Sequence, residues 1–385
     1  MSVVLVSGAL ANKLHNGGAA WTRLSWALGF KALGFEVAFV EQIRADCCVD
    51  ASGRPCPFGE SANREYFREV TEQFGLSDLA TLTCDDGETY GIAPSELDEL
   101  VRSAIALVNI TGHWTHPRMR AIPRRIDIDL DPGYTQFWHA MGNPGPRLEG
   151  HDVYYTVGEN IGRPDCSIPT GGIPWRPIRQ PVVLEHWPAC APGDPRPFTT
   201  IASWRGPYGP AQYAGTTYGL KAHEFRKFID LPRRVDQGFE IALDIDPADE
   251  RDLMALRDHG WHVIDPGVVA SGPVGFRQYV QASGAEFSVA QEVYVGTQSG
   301  WFSDRTVRYL ASGRPVLVQD TGFSRNYPTG EGLVAFRTME EAVAGAEGIA
   351  RDYAKHGRAA RAIAEAYFDS DRVLGRLLEE TGLVA

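Results

Sequence analysis

Short apolar runs alternate with helical stripes along most of the chain. Val3–Val6 is a continuous apolar run, the mark of a parallel strand covered on both faces. A glycine-containing loop follows. Trp21, Leu24 and Leu28 then recur at helical spacing, and Gly34 supplies the stop. Phe35–Val40 resumes as a strand, so the opening reads as one βαβ unit. The stretch from Ala45 to Pro94 is irregular except for a helix over Asn63–Phe74, whose Tyr66, Phe67 and Val70 share a side. Ala104–Ile110, Ile126–Leu130 and Val153–Val157 predict further strands. Prolines crowd 174–197 and mark a connection. A second series follows: strand Phe198–Ala202, helix Leu220–Ile229, strand Phe239–Leu243, helix Glu250–Arg257, strand Trp261–Ile264 and helix Phe276–Ala282.

The densest signal runs from Ser303 to Gly322. Ser303 is a good N-cap, and Val307, Leu310 and Ala311 share one helix face. Gly313 stops the helix, and Pro315 prevents its continuation. Val316–Val318 then form a buried strand that opens into Asp320, Thr321 and Gly322 at its carboxyl end, where open α/β sheets bind ligands. Beyond Met339 the chain is alanine-rich, charged and helical to about Leu378. The pattern predicts an α/β protein with two Rossmann-like domains, residues 1–190 and 191–360, and a helical tail over 361–385.

Length and charge narrow the functions. A chain of 385 residues is long enough for two separate cores. A net charge of -12 argues against a nucleic-acid partner, which needs clustered Lys and Arg. No apolar run approaches the about 20 residues of a membrane span. The apolar opening lacks a basic leader segment, and Asn12-Lys13-Leu14-His15 follows at once, so a first strand and a cytoplasmic location are expected. The six cysteines, at 47, 48, 56, 84, 166 and 190, form no CxxC pair and read as reduced thiols rather than metal ligands. The dinucleotide fingerprint is absent, since Gly8 is followed by Ala9, Leu10 and Ala11; Glu41 alone does not make an NAD site.

The run Leu310-Ala311-Ser312-Gly313-Arg314-Pro315-Val316, followed by Gln319-Asp320-Thr321-Gly322, resembles the donor-binding segment of bacterial GT-B glycosyltransferases. The likeness extends to the order and texture of the whole chain. It departs at one signature: many retaining members place paired glutamates around this helix, where Gly300 and Arg308 stand here. The resemblance implies two domains facing a cleft, with the final helix packed back on the N-terminal domain. It implies a hexosyl transfer from a nucleotide-sugar donor, UDP-linked, to a hydroxyl of a small-molecule or glycan acceptor, with no metal and no cofactor.

The same resemblance assigns candidate roles. His15 would take the acceptor proton, a task suited to an imidazole; a loop histidine also serves to cap a turn. Asp131 would orient His15, bind a sugar hydroxyl or act as base, or else only shape the turn before Pro132. His113 would touch sugar or acceptor. Gly17 and Gly18 would bring backbone N–H groups to the diphosphate. Arg205 and Lys221 would neutralise the departing diphosphate, unless they are solvated surface cations. Val263, beside Trp261, would offer a backbone edge to the base, and Trp301 would stack on base or sugar or anchor its loop. Ser303 and Arg305 would seat phosphate, Asp304 would bind hydroxyls or pair with Arg308, and Asp320, Thr321 and Gly322 would meet the sugar. Two rival readings stand beside transfer: a nucleotide-sugar epimerase on the same architecture, and a sugar- or nucleotide-binding protein without turnover.

Overall fold

The computed structural model describes residues 2–191 and 197–384; Met1, Ala385 and part of the proline-rich connection lie outside the described residues. The first sheet contains β1 (Val3–Ser7), β2 (Glu36–Ile43), β3 (Ala80–Cys84), β4 (Thr89–Gly91), β5 (Ala104–Ile110), β6 (Arg125–Asp129), β7 (Val153–Thr156) and β8 (Arg176–Pro177). Their order is β4-β3-β2-β1-β5-β6-β7-β8, parallel except where β4 returns antiparallel on β3. The second domain starts with β9 (Phe198–Ser203), followed by a hairpin of β10 (Ala211–Tyr213) and β11 (Thr216–Tyr218). Its sheet then adds β12 (Phe239–Asp244), β13 (Trp261–Ile264), β14 (Ala285–Ser288), β15 (Val316–Gln319) and β16 (Leu333–Phe336), in the order β13-β12-β9-β14-β15-β16.

Each sheet is thus doubly wound, with a switch point beside its first strand: between β1 and β5, and between β9 and β14. There the chain leaves the strands in opposite directions and opens a crevice at their carboxyl ends. Strands β1 and β15 are buried at every position, which is why they read as unbroken apolar runs. The second domain's core is a set of packed rings, Phe225, Phe239, Trp261, Phe287 and Phe336.

The two domains touch through the first helix, Gly17–Ala32. Gly17 N donates to Ala270 O at 2.8 Å, Trp21 Nε1 to Pro273 O at 2.7 Å, and Thr22 Oγ1 to Asp304 Oδ2 at 2.6 Å. A Cβ on Gly17 would lie 2.2 Å from Gly272 O, so only glycine permits this approach. The last helix, Ser370–Thr381, lies against the first: a Cβ on Gly29 would meet Leu374 Cδ1 at 2.6 Å. Tyr155 of β7 also donates to Glu380 at 2.8 Å. The tail therefore crosses back to the N-terminal domain.

Several elements differ from expectation. The stretch over 45–94 holds β3 and β4 as well as the expected helix, which spans Ala62–Gln73. The hairpin β10–β11, strand β16 and helices Pro94–Ser103, Tyr134–Ala140 and Glu292–Thr297 also lie outside the predicted set. Helix Lys221–Arg226 is shorter than predicted and passes into 3-10 turns.

Candidate active site

The carboxyl ends of both sheets face each other across a cleft of about 1470 Å³. Five strands of the first domain contribute. Asn12–Asn16 follow β1, Gln42–Arg44 end β2, Thr83–Asp85 end β3, Thr111 and His113 follow β5, and Asp131 follows β6. Opposite them stand Ile201–Ser203 of β9, Asp244 of β12, Asp265–Gly267 after β13, Lys221, and Asp304 and Arg305 at the start of helix Asp304–Ala311.

On the second domain's wall two cations dominate. Arg305 is anchored on three sides: Nε donates to Glu286 Oε1 at 2.6 Å, one terminal nitrogen to Ile201 O at 2.7 Å, the other to Ser288 Oγ at 2.8 Å. A guanidinium carries five N–H groups, so two remain beyond these contacts. Lys221 is half-buried at the start of its helix, and no hydrogen bond or ion pair of its ammonium is seen among the described residues. Burial, then the Arg305 charge, lowers its pKa to about 7; Glu286 and Asp304 oppose this only in part. A lysine so destabilised as a cation is poised to take up a proton when an anion arrives. Across the cleft, Gly18 lies in the first turn of the helix that Asn16 caps by accepting from Ala19 N at 2.9 Å.

The first domain's wall holds Asp131, His113 and His15. Asp131 is half-buried and accepts from Tyr294 Oη at 3.2 Å. Burial, with the neighbouring Asp129 charge, raises its pKa to about 6, although Tyr294, Arg23 and Lys13 pull the other way. Asp129 itself is buried and spends both oxygens on Thr135, Gln136 and Thr156, which makes it a structural group. His113 places Nε2 3.0 Å from Gln42 O. A carbonyl only accepts, so Nε2 carries the proton and Nδ1 is the bare nitrogen. Burial and the Arg23 and Arg147 charges push its pKa down to about 3, which keeps the ring neutral. His15 is exposed at the cleft lip, with a left-handed φ of 54° and its ring edge-on to Tyr66.

The cleft therefore brings together His15, Gly18, His113, Asp131, Lys221, Trp301, Asp304 and Arg305. Trp301 lies on Tyr294, ring centroids 4.4 Å apart. Asp304 accepts from Thr22 and Arg308 through one oxygen, Oδ2, at 2.6 and 2.9 Å, so the expected pairing with Arg308 is present.

The remaining candidates lie elsewhere. Gly17 gives its N–H to Ala270 and serves domain contact. Arg205 is exposed, does not line the cleft, and forms a two-pronged pair with Asp249 at 2.7 and 2.6 Å. Val263 packs on the second core; the cleft is reached two residues later, at Asp265. Ser303 is a buried cap for Arg305 N. Asp320 is closed inside its own loop by Gly322 N, Ser324 and Arg337. Thr321 donates to Trp301 O, and Gly322 packs against Asn160, which reaches over from the first domain to Gln298 O and Gly322 O at 2.9 and 3.2 Å.

Groups that the sequence reading passed over also face the cleft: Lys13, Arg23, Arg147, Tyr208, and the Asp265-Pro266-Gly267 corner. The only trace of Arg23 in the sequence is a charge between Thr22 and Leu24, in the middle of a helix whose one other charge, Lys31, lies in its last turn.

No family model matches the chain, and no curated protein matches it in sequence. Solved structures match it over almost its entire length. Anabaena Alr3699/HepE in complex with UDP-glucose aligns with a TM-score of 0.61 and 10% identity, covering 99% of this chain and 100% of that one. An alpha-glucosyltransferase in complex with UDP and a 13-mer DNA containing an HMU base gives 0.58 at 10% identity, with the same coverage. AviGT4, a glycosyltransferase involved in avilamycin A biosynthesis, gives 0.54 at 12% identity, covering 99% and 97%. These neighbours are GT-B glycosyltransferases, and the chain has the GT-B fold.

Proposed function

We propose that this GT-B chain transfers a hexosyl group from a UDP-sugar to a hydroxyl of a small-molecule or glycan acceptor, with no metal ion taking part. The observation that carries this reading is the pairing of Lys221 with the anchored Arg305 on the wall opposite Gly18. Departure of a nucleoside diphosphate builds negative charge, and fixed cations in a partly dehydrated cleft stabilise it. In this reading the diphosphate lies between Lys221, Arg305 and the first turn of helix Gly17–Ala32, and the base lies against Asp265–Gly267. The acceptor faces the first domain. Its hydroxyl proton passes to Asp131, whose raised pKa keeps it both largely ionised at neutral pH and basic enough to accept. Neutral His113 accepts a hydrogen bond through Nδ1 and holds a sugar hydroxyl. His15, at the exposed lip, closes the acceptor side.

Lys221 supplies a test with a definite sign. Below about 7 it is charged in the free protein; above that, diphosphate binding must recruit a proton from solvent. Calorimetric titration with UDP is expected to show affinity falling about tenfold between pH 7 and pH 8.5, with net proton uptake at the upper pH. A flat profile over this window rules out Lys221 as the diphosphate ligand. NMR of a UDP-sugar incubated with the protein then separates the rival readings: slow release of UDP with unaltered sugar supports transfer, an altered sugar without acceptor identifies an epimerase, and an unchanged donor a binder.

A further inference from the structure

Arg23 is 8% exposed, yet among the described residues its Nε has no hydrogen-bond partner, and the one hydrogen bond its guanidinium makes is a long one to Ala19 O at 3.3 Å. A buried guanidinium left this way is costly unless something else completes it. The side chain is admitted by the absence of one at Gly8, where a Cβ would lie 2.7 Å from Arg23 Cγ. It reaches the cleft, whose first-domain wall also carries Lys13 and Arg147, both exposed. Among the described residues none of these three cations has a carboxylate within ion-pair distance. The other arginines of that wall differ: Arg44 is paired with Asp46, and Arg118 with Asp98.

The wall's carboxylates do not cancel this charge. Glu41 is capped by the N–H groups of Ala11 and Asn12 and the Asn12 amide. Asp85 accepts from Ala45 N, and Asp304 accepts from Thr22 and Arg308 through Oδ2. Asp304, Asp131 and Glu41 lend Arg23 partial counter-charge, but among the described residues none lies within ion-pair distance of it. The trio is also distinct from the diphosphate pair. The Arg23 charge acts on Lys13, His113 and Asp131, whereas Lys221 responds to Arg305 and Glu286; Asp304 lies between the two groups and acts on both Arg23 and Lys221. One cleft thus has two separate concentrations of positive charge, in a protein whose net charge is -12.

We infer that the group bound by the first-domain wall carries an anion, a carboxylate or a phosphate, received by Arg23 with Lys13 and Arg147. This rests on the donor reading above and adds a substrate class to it. A planar guanidinium accommodates two oxygens of such an anion side by side, and the two exposed cations add charge at the entrance. The anion belongs either to the acceptor or to the transferred sugar; the chemistry is the same.

The test uses the full chain saturated with UDP, titrated at constant ionic strength with glucuronate and with inorganic phosphate, with glucose as neutral control, and followed by ligand-observed NMR. Saturable binding of both anions and none of glucose is expected. The double variant Lys13→Ala/Arg147→Ala changes two exposed side chains, and it should weaken anion binding about tenfold or more while leaving UDP affinity within about twofold. Arg23→Gln should abolish the anion response, with thermal melting reporting its folding. A preference for UDP-glucuronate over UDP-glucose, lost in the double variant, assigns the anion to the transferred sugar. Glucuronate binding beside bound UDP-glucose assigns it to the acceptor. Absence of saturable anion binding by the UDP-saturated protein, or binding unaltered in the double variant, overturns the inference. Failure of UDP itself to bind would instead refute the donor reading.

Discussion

Lys221→Ala is expected to weaken UDP binding about 10- to 100-fold, the worth of one charge-assisted hydrogen bond in a sheltered site. Turnover of a UDP-sugar should fall by about 100-fold or more, because the same ammonium meets charge that grows as the diphosphate leaves. The variant should melt no lower than the parent. Burial already holds the Lys221 pKa down to about 7 in the folded protein, far below its unfolded value, so the charged form is a liability to folding. Unfolding then takes up a proton between about pH 7 and 10, and stability rises with pH across that window. Removing the amine removes that dependence. Calorimetry with UDP and a melting curve check both halves; lost binding together with lost stability would mark Lys221 as structural.

Asp131→Asn is expected to lower kcat about 100- to 10,000-fold with UDP affinity nearly unchanged, the range for loss of a positioned proton acceptor. An amide oxygen still accepts from Tyr294 Oη, so the loop should keep its shape. The parent's kcat should climb with pH through about 6 as Asp131 loses its proton, and this acidic limb should vanish in the variant. His15→Ala, at the exposed lip, should cost less than about tenfold. If His15→Ala removes the limb and Asp131→Asn does not, the roles are reversed.

Much of the architecture is legible from residue pattern, and the reasons are physical. Strands buried on both faces are mostly apolar, so β1 and β5 stand out within a residue of their ends despite the buried Ser7 and Asn109. Strand β3, Ala-Thr-Leu-Thr-Cys, intersperses threonines, and β4 is three residues long, so neither rises above the surrounding loops. The Ser303–Gly322 unit is visible because cap, apolar face, stop and strand all agree.

The site is less legible, because direction is not written in residue type. Arg205 and Arg305 are both basic residues near a strand or helix end. One is held at the exposed surface by Asp249, while the other is drawn inward by Glu286, which is 0% exposed. Gly17 and Gly18 are adjacent, yet one serves domain contact and the other lines the cleft. Asp320 sits where a sugar ligand is expected, and Arg337, seventeen residues on, closes it. Arg23 is not legible in the sequence, because a charge on a buried helix face gains meaning only when the opposing wall is known.

The central claim is that the groove between the domains grips a nucleoside diphosphate at Lys221 and Arg305. A crystal structure of the protein grown with UDP tests it most directly. Density for the diphosphate within hydrogen-bond reach of Lys221 Nζ and the Arg305 guanidinium, with uracil near Asp265–Gly267, is the predicted result. UDP lodged elsewhere, or a groove that stays empty at saturating UDP, would contradict it.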